Sequence, residues 1–276
     1  MCPVELQLCP VDVSAESFSE LCSALSSSHH VQGLTVELLN ADRASLTSVR
    51  DMLKKNKSLK RVTLTSNDFN PDSSAQVSLG LRSNTSVTDL TLNFCHFKTS
   101  AGLLLAQLME KNKALNQISI TCYFDPQPGC LAALGRGLLR NRSIIDFSVV
   151  RWKDNECWHP NIGVALQRNV SRLHRAVWFV LKPSLERSEA EVFEQIESKA
   201  CLLSRLMSAT GMTEEEAQGA VRSAKRFIRL HFFSITGLFC RTLQCFAGSG
   251  TQIDSLNYEC LLAIAKHLKV SDVLAR

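Results

Sequence analysis

The 276-residue chain carries 11 cysteines but no CxxC pair, so paired-cysteine metal and redox motifs are missing. No glycine loop precedes a lysine and a Ser/Thr: Gly248 and Gly250 lack both partners of a phosphate cradle. A GxSxG elbow and an HExxH pair are missing as well, which removes the serine-hydrolase nucleophile and the paired-histidine zinc site. These absences lead us to expect no catalytic residues, no cofactor and no enzyme. His29-His30 and Cys157-Trp158-His159 contain metal-ligating types, but neither approaches the four ligands a zinc site needs, so no metal is expected.

Charge is also in short supply. The net +5 lies in Met1–Pro183, with 20 basic and 15 acidic residues, while the remainder carries 11 of each. So dispersed an excess gives no basic face for nucleic acid. Met1-Cys2-Pro3-Val4-Glu5-Leu6 lacks the basic start and apolar run of a secretory signal. The odd cysteine count leaves one thiol unpaired in any disulfide scheme, and free thiols point to a reducing compartment. A cytoplasmic location is expected, with a nuclear share left open. The apolar block His231–Phe246 is nearly long enough to span a bilayer, but Arg229, His231 and Arg241 favour a buried helix, so no membrane partner is expected.

What the chain does have is a period. Asn56, Asn84, Asn112, Asn141 and Asn169 are separated by 28, 28, 29 and 28 residues. A fixed period of this length marks a stacked repeat. Three residues beyond the asparagines stand Leu59, Val87, Leu115 and Ile144; six beyond, Val62, Leu90, Ile118 and Phe147; eight beyond, Leu64, Leu92, Ile120 and Val149. Val31, Leu34 and Val36 keep the same offsets from Ser28. This alternation predicts a short strand with one buried face.

Helices are predicted at Ala44–Lys55, Ser73–Ser83, Ser100–Lys111, Cys130–Arg140 and Ile162–Arg168, with apolar residues at i, i+3 and i+4. A further helix, Val11–Ser28 with Ser14 as N-cap, reads as a terminal half-repeat. Asparagine tolerates the left-handed backbone that ends helices, and Lys55, Lys111, Arg140 and Arg168 suit a helix C-terminus. The asparagines therefore read as helix stops. Four of them, Asn56, Asn84, Asn141 and Asn169, satisfy the N-glycosylation pattern, which we attribute to the repeat itself.

A strand-plus-helix unit of about 28 residues resembles the ribonuclease-inhibitor type of leucine-rich repeat, found also in NOD-like receptors and Ran GTPase-activating proteins. The resemblance covers Val31 to about Val180. It implies an α/β solenoid with parallel strands on the concave side and helices on the convex side. Fit decays at Arg172, although Ala176–Val180 could supply a last strand.

The expected organisation is a solenoid over 1–183 with an N-terminal helical cap, then a helical region over 184–276. Outward strand positions form a polar strip: Thr35 and Glu37; Arg61, Thr63 and Thr65; Asp89, Thr91 and Asn93; Gln117, Ser119 and Thr121; Asp146 and Ser148. Solenoids commonly bind proteins on such a face. The candidate partner-binding residues are Arg61, Thr63, Asp89, Thr91, Asn93, Gln117, Ser119 and Asp146. Phe69, Phe97 and Phe124 recur after the strands and are expected in the core.

In the second region, Ser188–Ser208 reads as one amphipathic helix ended by Gly211, and Thr213 with Glu216 forms a capping box for the next. Ala247–Gly250 reads as a turn before a final helix pair. Over 255–276, Leu256, Glu259, Leu261, Ile264, Leu268 and Asp272 fall at spacings that resemble the opening of an F-box, which implies the linker subunit of an SCF-type ubiquitin ligase as partner. Asn257 replaces that family's usual proline, and an ordinary amphipathic helix produces the same pattern. The function favoured by the residues is a non-enzymatic protein-interaction scaffold on the concave face. The ligase substrate receptor is the alternative, and a Ran-type GTPase activator ranks last, without an activating motif or a strongly acidic tail.

Overall fold

A computed structural model describes residues 4–8, 14–39, 41–68, 71–127, 129–151, 159–238 and 256–273. Phe69, Trp152, Cys157, Trp158 and the 247–250 turn lie outside the described residues. The chain divides into two units, Met1–Val170 and Ser171–Arg276, which meet ahead of the 183 boundary read from the period.

The first unit alternates strand and helix. Its strands are β1 (Val4–Leu8), β2 (Val31–Glu37), β3 (Arg61–Asp68), β4 (Asp89–His96), β5 (Gln117–Cys122) and β6 (Asp146–Arg151). They pair in sequence order, all parallel. Between them run α1 (Ala15–Ser27), α2 (Arg43–Lys55), α3 (Pro71–Arg82), α4 (Thr99–Lys111) and α5 (Cys130–Arg140). The apolar residues at offsets three, six and eight are all buried, and Leu59, Val87, Leu115 and Ile144 are fully so. They join the helices' inner faces in one core running from Phe18 to Ala165. This is a repeating α/β architecture of solenoid type.

Strand β1 was not anticipated. Its register partners Leu6↔Leu34 and Leu8↔Val36 lie one 28-residue period apart, a signal present in the sequence. Val4 and Leu6 are exposed on this edge strand.

The asparagines do end helices, but not by left-handed backbone. Asn56, Asn112 and Asn141 are extended, with φ of −63°, −74° and −81°. The stop comes from the side chain instead. Asn56 Oδ1 accepts from the backbone N–H groups of Ser58 and Leu59, a local turn that competes with helix continuation. Its Nδ2 reaches into the preceding repeat, donating to Leu25 O at 2.7 Å and Ser28 O at 3.4 Å. The next rungs repeat this: Asn84 donates to Leu53 O and Asn56 O, Asn112 to Leu81 O and Asn84 O, Asn141 to Met109 O and Asn112 O. Each carboxamide thus satisfies carbonyls that the previous helix end leaves open. All five ladder asparagines are at most 2% exposed, so a glycan cannot be attached to them in the folded chain.

The ladder's last rung differs. Asn169 Oδ1 is held by the Arg168 guanidinium, which also donates to Leu138 O, Leu139 O and Asn141 O. No local stop forms, and α6 runs uninterrupted from Pro160 to Leu181. Residues 176–180, the one candidate for a last strand, are therefore helical. Arg172 stands where every earlier repeat buries an apolar residue, so a seventh strand would force a guanidinium into the core.

In the second unit, the single helix expected over 188–208 is two: α7 (Arg187–Ile196) and α8 (Ala200–Thr210). Lys199 is extended between them. Glu197, beside the break, accepts from Lys225 Nζ at 2.8 Å, a contact from a distant element. Gly211, at φ 74°, ends α8. The capping box at Thr213 and Glu216 opens α9 (Glu214–Thr236), which kinks at His231 and ends at Gly237. Of the apolar block, the described residues are helical to Thr236, and 239–255 lie outside the described residues. The final helix pair is α10 (Tyr258–Ala265) and a 3-10 turn, Val270–Asp272.

Candidate functional site

The strand register assembles the candidate residues into rows across one sheet face. Arg61, Asp89, Gln117 and Asp146 are successive Cα partners. Thr63, Thr91 and Ser119 form the next row, flanked by Thr35 and Ser148. Asn93 lies in the third row between Thr65 and Thr121. All eight therefore share a face, and at a strand spacing of about 4.8 Å the first row spans roughly 15 Å from Arg61 to Asp146. Arg61, Gln117 and Asp146 are exposed; the others are half-buried.

Two residues that sequence reasoning missed alter the electrostatics. Glu5 of β1 extends over β2 to pair with Arg61, Oε1 to Nη2 at 2.6 Å. Gly33 lies between them in register, and a Cβ there would stand 2.9 Å from Glu5 Cγ, so only glycine leaves this path open. Gln7 donates to Glu37 Oε1 at 2.9 Å. With Glu5 included, the face sets four carboxylates (Glu5, Glu37, Asp89 and Asp146) against one guanidinium. Thr88 Oγ1 donates to Asp89 at 2.5 Å, and Ser148 Oγ to Ser119 Oγ at 3.2 Å, so the hydroxyls orient one another and the carboxylate.

Beyond the third row, a hollow of about 410 Å³ opens among Leu39, Asn67, Asn93, Cys95 and Tyr123. Tyr123 is 51% exposed. Phe124, expected in the core, is 55% exposed and stacks on His96 with ring centroids 4.6 Å apart. Phe97 is buried as expected. The difference is local: Phe97 sits at the inward position of its turn, whereas Phe124 opens the longer connection to α5.

No family model and no curated protein matches the chain. One solved structure similar to it is described as leiomodin-1 actin-binding site 2. That match covers 57% of this chain and 92% of the other, at 14% identity and a TM-score of 0.46.

The F-box-like residues take separate roles. Leu261 is buried with Ala265 on the inner side of α10. Asp272 accepts from Lys269 N–H at 2.8 Å and so caps the 3-10 turn. Val270, within the same segment, is fully buried, its N–H donating to Glu194 and its carbonyl accepting from Arg187. Glu259 is exposed, Leu256 and Ile264 are half-buried, and Leu268 is 38% exposed. Structure thus recruits Leu261 and Asp272 for internal contacts, leaving Leu268 and Glu259 facing solvent.

Among the described residues, no group of three or more His, Cys, Asp or Glu could hold a metal ion, and no helix is long and apolar enough to cross a membrane. Cys22, Cys95, Cys122, Cys130, Cys201 and Cys260 are free thiols. Burial pushes the Cys22 thiol up to about 11 and raises Cys130 and Cys201, which keeps all three protonated and poorly nucleophilic.

Proposed function

We propose that this protein is a non-enzymatic recognition scaffold, built on leucine-rich repeats of the ribonuclease-inhibitor type, that binds a protein partner on the concave strand face. The observation that carries this reading is the registered polar face itself. Parallel sheets ordinarily have both faces covered. Here one face is packed against the helices, and the other presents exposed Arg61, Gln117 and Asp146 beside an apolar hollow. Four carboxylates against one guanidinium favour a partner segment of basic character.

The alternative, a ubiquitin-ligase substrate receptor docked through the C-terminal segment, has less support. Leu261 and Asp272 already serve internal contacts, which leaves a smaller apolar surface for a linker subunit. No feature of the site favours a GTPase activator of the Ran type.

Proximity labelling with the wild-type chain and with an Asp89→Lys, Gln117→Lys, Asp146→Lys variant tests the proposal. Partners labelled by the wild type should be lost from the variant. An unchanged set would overturn the concave-face reading, and a ligase linker subunit in that set would favour the alternative.

A further inference from the structure

The convex side of the repeats carries a groove to which concave-face recognition gives no role. Helices α2 and α3 approach closely at Gly80, where a Cβ would stand 2.8 Å from Arg50 O. Helices α4 and α5 do the same at Gly137, where a Cβ would stand 2.8 Å from Ala106 O. Between α3 and α4 a groove of about 390 Å³ opens instead. Leu79, Leu104 and Leu108 line it, and Leu79 is 50% exposed.

Two further observations bear on what this groove can accept. Ser78, a residue only 8% exposed, is among those lining the groove, and its buried hydroxyl has no hydrogen-bond partner among the described residues. A buried, unpaired hydroxyl is costly unless a ligand completes it. One turn further along α3 stands Arg82, and Lys111 of α4 lines the same end. Among the described residues neither makes an ion pair: the neighbouring carboxylate, Glu110, is engaged by Arg140 at 2.7 Å.

We propose that this groove docks an amphipathic helix of a protein partner, distinct in place from the concave-face site. The helix inserts a leucine-type side chain between Leu79, Leu104 and Leu108. On its next turn it sets a carboxylate against Ser78, Arg82 and Lys111. The carboxylate accepts the Ser78 hydrogen and is neutralised by the two cations, so one group meets all three side chains. A groove open along two neighbouring helices suits the side-chain ridge of a third helix. Small-molecule sites, by contrast, enclose most of their ligand.

The test uses the full chain and two synthetic helical peptides. Both carry leucine at i and i+4; one has glutamate and the other lysine on the following turn. Fluorescence anisotropy should show the glutamate peptide binding about tenfold or more tightly than the lysine peptide. Arg82→Glu with Lys111→Glu should reverse that order. Ser78→Ala should raise the melting temperature of the free chain and yet weaken the glutamate peptide, opposite effects that a purely structural serine would not produce. Asp89→Lys on the concave face should leave peptide binding unchanged. Absence of glutamate-peptide binding, or the same preference in the double reversal, would overturn the proposal. So would loss of peptide binding in Asp89→Lys, or stoichiometric binding of a long-chain fatty acid where the peptides fail.

Discussion

At the residue scale, Asn84 shows how one side chain works in two directions. Its Oδ1 accepts from Ser86 and Val87 of its own repeat, and its Nδ2 donates to Leu53 and Asn56 of the preceding one. Replacing it with alanine leaves the Ser86 and Val87 N–H groups and the Leu53 carbonyl without this partner, while Asn56 O keeps only the Ser86 hydroxyl. Asn84→Ala is therefore expected to cost about 3 kcal/mol or more, measured by urea unfolding of the purified chain. Asn84→Asp keeps the acceptor but turns a buried carboxylate toward two carbonyl oxygens. Its loss should be of similar size at neutral pH and partly recovered in acid, where the protonated carboxyl can donate. The sequence located this residue because the period reports position. The direction of its amide depends on atoms 28 and 31 residues away, which a period cannot report.

At the element scale, helix ends were legible where the decisive group lies within the same turn. Ser14, Thr213 and Gly211 act as local chemistry predicts. The break between α7 and α8 and the unbroken α6 were not legible. One is accompanied by Lys225 on Glu197, and the other by Arg168 bonding to carbonyls of the preceding repeat. Opposite pH responses also follow from elements of the second unit. On α7, burial raises the Glu194 carboxyl above its ordinary value of 4.5, only partly offset by the Val270 N–H. Its folded form holds the proton more tightly than the unfolded chain does, so its contribution falls as pH rises from about 4.5 through the folded value. Glu216 is the reverse: the Thr213 backbone and side-chain hydrogen bonds lower it, and its contribution is lost as pH falls through the folded value. Glu194→Gln should raise the melting temperature at neutral pH, and the gap from wild type should close on acidification. A constant gap across the titration would contradict this account.

At the scale of the whole molecule, the eight candidate residues form one face because the three strand pairs from β3 to β6 hold constant register. The acidic balance of that face, already three carboxylates to one guanidinium on β2 to β6, deepens when β1 contributes Glu5. Binding of a basic partner should therefore weaken several-fold as salt rises from about 0.05 M to about 0.5 M, and isothermal titration with the recovered partner checks this. Salt-independent binding would place the affinity in the apolar hollow instead.

By itself, the sequence determined the repeat, the buried strand positions, the outward strip and most helix ends, because each follows from spacing or from groups within one turn. Tertiary structure decided the rest: the reach of Glu5 across Gly33, the end of the sheet at β6, the exposure of Phe124 and the groove between α3 and α4. Each depends on which side chains meet across repeats, and that distance is set by packing rather than by position in the chain.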